Sequence, residues 1–359
     1  MRMPKERKLL WLWLLLSALA LLAVGMFNTE VDVSGVIMGQ RNLLTKLYLR
    51  RYVSQMETAP NGIAFIPRER QIKLELLKRY PAECYAIGSS HINGVSPKTL
   101  PRYLSDCRSF RNLWVGGGEL DELMVFAVEI GKQPGVRKIV IGILPFFFET
   151  DNSKDWLNFG EYESKLREFF KNGARGAPPP EPAEASSQVL KNPLLVLRSL
   201  VNGDYLLANW RYFVTFGENW SENLDGVLVF HADGNMDYSK AGLDIPSSAY
   251  HCNIAAFVKE ASDPGKDIFV NVVSWLRRRN IELILLLTPV HPSLLNCENV
   301  ANRAEAERYI HAIGAQLGLP VVGGYDPRPF GIAPMEIRID GEHPLPSAFA
   351  KLRELEARP

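Results

Sequence analysis

The chain has 359 residues, 41 Lys+Arg against 40 Asp+Glu for a net charge of +1, and 47% hydrophobic residues. Those values are ordinary for globular proteins, and they exclude wholesale disorder, a collagen or coiled-coil architecture and a chain of many membrane spans. No basic excess marks a nucleic-acid surface, so no nucleic-acid partner is expected.

Residues 9–27 run without a charge, and only Ser17 and Gly25 among them are not apolar. At 1.5 Å per residue a helix of that length reaches roughly 28 Å, about the hydrocarbon thickness of a bilayer. Arg2, Lys5, Arg7 and Lys8 precede it against one Glu6, and Glu30 and Asp32 follow it. The positive-inside rule therefore expects a cytosolic tail over 1–8, a transmembrane anchor over 9–27 and the bulk of the chain on the extracytoplasmic (periplasmic) side of the cytoplasmic membrane. Ala23-Val24-Gly25 resembles the cleavage site of a signal peptide, but the run is longer than the usual apolar core of one, so an uncleaved anchor is preferred. Residues 28–80 read as a juxtamembrane helical stalk or as the first helices of the domain.

From Glu83 short apolar runs alternate with helical patterns. Strands are expected at Cys84–Ile87, Asn112–Val115 and Arg137–Ile143, with helices over Pro97–Leu104 and Glu119–Ile130 between them. An aromatic and Pro/Gly-rich stretch at about 149–265 breaks the rhythm and reads as an insertion. A helix Val270–Arg279, a strand Ile281–Leu287, a helix at about 300–317, a strand Pro320–Val322 and a helix from about 345 complete the pattern. Strands separated by single helices predict an α/β fold with a parallel sheet over 81–359. Cys84, Cys107, Cys252 and Cys297 contain no C-x-x-C pair. In an exported chain, pairing by proximity (Cys84–Cys107, Cys252–Cys297) is preferred, with buried free thiols as the alternative.

In an open parallel sheet, ligands meet the chain beyond the carboxyl ends of the strands. Gly88-Ser89-Ser90-His91, Gly116-Gly117-Gly118-Glu119, Thr288-Pro289-Val290-His291 and Asp340-Gly341-Glu342-His343 fall at or near such positions. A serine alcohol needs a base to take its proton, and that base works best when a carboxylate fixes its tautomer. Glycines after a strand can bring backbone N–H groups to a developing oxyanion. Each motif also has a plainer reading: Ser89 and Ser90 as helix caps, Asp340 as a cap beside a surface histidine, Gly116–Gly118 as a tight turn. His91 and His291 are secondary candidates for substrate contact. His231-Ala-Asp233-Gly234 reads as a hairpin turn rather than a metal pair, and no metal or cofactor site assembles from the remaining residues. A phosphate site on Gly116–Gly118 is a weaker alternative, because no partner lysine follows the glycines.

Gly88-Ser89-Ser90-His91 resembles the first block of SGNH (GDSL-type) hydrolases, and Asp340-Gly341-Glu342-His343 resembles their closing D-x-x-H block. With its anchor and insertion, the chain is similar to the teichoic-acid D-alanine transfer proteins and the alginate-type polysaccharide O-acetyltransferases. The resemblance covers roughly 81–148 and 267–357. It implies an SGNH-like (flavodoxin-like) three-layer sheet, with Ser90 as nucleophile, His343 as base, Asp340 as its orienter, and the N–H groups of Ser90 and Gly118 at the oxyanion. It further implies an acyltransferase or esterase acting on an acyl donor and a cell-envelope glycan or polyol, with a membrane-bound acyl-transfer protein as partner. Ser89 replaces the family's usual Asp, and Ile141-Gly142-Ile143 stands where a G-x-N-D block is expected. A side-chain oxyanion donor is therefore missing or comes from elsewhere. A non-catalytic envelope-assembly or glycan-binding member of the same fold is the alternative.

Overall fold

Apolar and β-branched residues dominate the strands at the centre of the molecule, as sides of a sheet covered on both faces require. In the computed structural model, described over residues 5–31, 43–65, 69–144, 147, 169, 206–207, 210, 220–222, 224–225, 227–239, 263–296, 300–338 and 340–354, five strands form one parallel sheet. They are β2 (Cys84–Ile87), β3 (Phe110–Asn112), β4 (Lys138–Ile143), β7 (Glu282–Leu287) and β8 (Val321–Gly323), in the spatial order β3-β2-β4-β7-β8. The chain leaves β2 toward one edge and then crosses back past it, so the connections diverge at the carboxyl ends of β2 and β4. Such a switch point opens a crevice. Helix α5 (Leu120–Gly131) packs on α6 (Asp263–Arg278), and α7 (Val300–Leu317) lies against β8. The α5–α6 contact is close because Gly131 has no side chain where the Trp275 ring and Leu276 sit.

Chain contacts divide the molecule into two units, residues 1–52 with 154–160 and 181–219, and residues 53–153 with 161–180 and 220–359. The first holds α1 (Lys5–Val31), in which every residue from Leu12 to Ala23 is exposed. The rings of Phe27 and Trp210 meet at 6.2 Å in the same unit. Among the described residues no helix is long and apolar enough to cross a membrane.

The second unit begins at Val53, within the segment 28–80. Strand β1 (Ile63–Ala64) pairs with β5 (Val229–Phe230), which pairs with β6 (Met236–Asp237) in a small antiparallel sheet. Helix α3 (Glu69–Arg79) buries Ile72, Leu74, Leu76 and Leu77. Its basic residues mislead a reader of the sequence because two of them face inward: Arg70 pairs with Glu122, and Lys73 donates to the carbonyls of Asn112 and Gly234.

Two further boundaries differ from expectation. The helix expected from Pro97 is one turn, α4 (Pro101–Leu104), because Thr99 instead bonds back to Ser96 and Gly94. The strand expected at Asn112–Val115 ends at Asn112, whose side chain accepts the Trp114 N–H at 3.1 Å. Cys84 and Cys107 form a disulfide, whereas Cys252 and Cys297 lie outside the described residues. Much of the expected insertion lies outside them too, but its Val229–Asp237 hairpin belongs to the unit that holds the sheet.

Candidate active site

Beyond β2 the chain cannot stay extended, because Ser89 caps a short 3-10 turn, Ser90–Ile92, by accepting the His91 N–H at 3.4 Å. Ser90 opens that turn at the switch point. Gly142 on β4 makes room for it, since a Cβ there would fall inside the van der Waals shell of Ile92 Cγ2. The segment after Ser90 is held by three amide side chains. Asn93 exchanges hydrogen bonds with the Met236 backbone at 2.8 Å each. Asn112, fully buried, donates to the carbonyls of Ile92 and Val95 and to Asn235 Oδ1. Asn235 Oδ1 also receives the Gly94 N–H at 2.7 Å. The hairpin turn can approach this closely because Gly234, at φ +85°, puts no side chain against the Asn112 carbonyl.

Asp340 and His343 arrive on a loop closed by Ile337 against Pro344 and by the Arg338 N–H on the His343 carbonyl at 2.9 Å. Asp340 Oδ1 receives the N–H groups of Glu342 and His343 at 2.9 and 3.0 Å, and Oδ2 lies 2.6 Å from His343 Nδ1. Burial pushes the Asp340 carboxyl up, but the bond and charge of His343 and those two backbone donors outweigh it and hold the pKa at about 2. A carboxylate only accepts, so Nδ1 carries the imidazole proton and Nε2 is left with its lone pair. Nε2 faces Ser90 Oγ at 2.7 Å. Serine, imidazole and carboxylate are thus in series, from positions 253 residues apart, with the geometry of a nucleophile, base and orienter. No family model matches the chain, and no curated protein is significantly similar to it.

The other expected site residues fall in different places. Gly118 lies on the turn after β3, but its N–H donates to the Val115 carbonyl at 3.0 Å and is already engaged there. His291 joins the site through its backbone, donating to the Gly341 carbonyl at 2.7 Å, while its Nδ1 lies 2.7 Å from Ser293 Oγ. His91 is buried beside the relay, its ring stacked on that of His343 with centroids 4.6 Å apart. His231 sits in the turn between β5 and β6, where a hairpin was expected. Among the described residues no group of three or more His, Cys, Asp or Glu side chains is placed to hold a metal ion.

Several residues near the site escaped the sequence reading. Glu69 accepts the Gly116 N–H at 3.0 Å and Arg70 donates to the Gly116 carbonyl at 3.2 Å, so α3 clamps the glycine turn from both sides. Burial pushes the Glu69 carboxyl up and the Lys73 ammonium down, and each is countered by the other's charge. Glu342 lies 3.5 Å from His91 Nε2 and 3.4 Å from Arg303 Nη2. The D-G-E-H spelling was the available signal for Glu342. A lone arginine on a polar helix gave none for Arg303.

Proposed function

We propose that the chain is a serine acyltransferase or esterase with an SGNH-like fold, anchored by α1 and acting outside the cytoplasmic membrane on a cell-envelope glycan or polyol. The observation that carries this reading is the Ser90–His343–Asp340 relay at the switch point of a parallel sheet. Ser90 Oγ attacks the carbonyl of an acyl donor while its proton passes to His343 Nε2. The Ser90 N–H donates to the oxyanion, and collapse of the tetrahedral intermediate expels the donor's leaving group with the proton from His343. The acceptor hydroxyl, or water, then gives its proton to His343 and attacks the acyl-serine, which releases Ser90. A membrane-bound protein would deliver the acyl group.

The Cys84–Cys107 disulfide supports an oxidising compartment, and the exposed apolar surface of α1 supports a lipid surrounding for it. One observation favours the second reading, a non-catalytic assembly or glycan-binding protein. With the Gly118 N–H held by Val115, the oxyanion lacks a donor that the catalytic reading wants. A serine-directed fluorophosphonate separates the two. The catalytic reading expects the full chain to be labelled at Ser90 and the Ser90→Ala variant to be unlabelled. Equal labelling of both, or of neither, removes it.

A further inference from the structure

The relay has a second, interior counterpart. Ser89 Oγ lies 2.8 Å from His91 Nδ1, and His91 Nε2 lies 3.5 Å from Glu342 Oε2. Serine, imidazole and carboxylate again stand in series, from the residues next to Ser90 and two after Asp340. The two imidazoles stack nearly parallel, at 19° between planes. Ser89 is only 2% exposed and cannot meet a substrate as Ser90 can.

Charge decides what this inner series can do. Burial pushes the His91 pKa down, against the raising effect of Glu342. Burial raises Glu342, but its contacts with His91, Arg303 and His343 hold it below the usual carboxylate range. So Glu342 is an anion, His91 Nε2–H points toward it, and the Ser89 hydroxyl donates to Nδ1. The charged and titratable groups facing His91 are Asp340, Glu342 and His343 from the relay loop, with Arg303 of α7 reaching it through Glu342.

We infer that His91 is a positioning residue for the base: its ring, stacked on the imidazole of His343 and held at Nε2 by the Glu342 carboxylate, fixes the plane of His343. This rests on the catalytic reading of Ser90, but it makes a separate statement about His343. A flat neutral ring against the imidazole face prevents rotation out of line with Ser90, where small misalignments cost rate steeply. Arg303 holds the carboxylate and tempers its pull on His91 itself, whose protonation would set two positive rings face to face.

One measurement on the full chain in detergent tests the alignment. Fluorophosphonate labelling of Ser90 should slow about tenfold to a hundredfold in His91→Ala and recover in large part in His91→Phe, which restores a flat face. Equal labelling by His91→Ala and the unaltered chain, or equal slowing by the Ala and Phe variants, overturns the alignment role. Failure of the catalytic reading itself shows elsewhere, in the Ser90→Ala comparison.

Discussion

Asp340 joins two tasks in one side chain, closing its own loop with Oδ1 and orienting the His343 ring with Oδ2. Its folded pKa is about 2 against an ordinary 3.8, so as pH falls the unfolded chain takes up that proton first. Its stabilising contribution is therefore complete above about pH 5 and lost as pH falls through 2. Asp340→Asn should flatten the urea-unfolding midpoint between about pH 5 and 2. The same change should slow fluorophosphonate labelling by about 10²–10⁴-fold, because an amide can donate to Nδ1 and favour the wrong tautomer. The D-x-x-H spacing was readable in advance because both partners lie on one loop. The engagement of the Gly118 N–H was not, since it depends on how tightly the turn from Val115 closes.

At the scale of elements, the nucleophile's turn is supported from two directions. Below it lies β4, where Gly142 leaves a gap that Ile92 fills. Gly142→Ala should cost about 1–3 kcal/mol by overpacking, seen as a lower urea midpoint, and should slow labelling as Ile92 displaces Ser90. Beside it lies the β5–β6 hairpin. Asn235→Ala strips hydrogen-bond partners from the Gly94 N–H, from Asn112 Nδ2 and from the Val95 carbonyl. Leaving the part-buried Gly94 N–H unmatched, while Asn112 and the Val95 carbonyl keep each other, should cost about 1–3 kcal/mol in the same assay. The central strands could be read from the sequence because a buried parallel sheet needs unbroken apolar runs, as in Ile139–Ile143 and Leu283–Leu287. The hairpin's attachment could not. Asn93 and Asn235 look like loop residues and Asn112 like the start of a strand, and their pairing spans up to 143 positions. The inward charges of helix α3 could not be read either, since Arg70 and Lys73 each have a partner folded in from a distant segment.

Across the whole molecule, the Cys84–Cys107 disulfide ties the start of β2 to the segment just before β3, over 23 positions. Closing a loop of that size should contribute about 3 kcal/mol on the chain-entropy account, so Cys107→Ser should lower the urea midpoint by the corresponding amount under oxidising conditions only. The parallel-sheet topology followed from the alternation of strands and helices in the sequence. The start of the sheet-bearing unit at Val53 did not, because β1 finds its partner only at Val229–Phe230.

On the proposed reading, the 253 positions between Ser90 and His343 also govern when the protein becomes reactive. During synthesis the serine emerges well before Asp340 and His343. A nascent chain, or one truncated before position 340, carries the alcohol with nothing to deprotonate it. Reactivity would thus begin only once the loop that carries Asp340 and His343 has been made and has closed on Ser90.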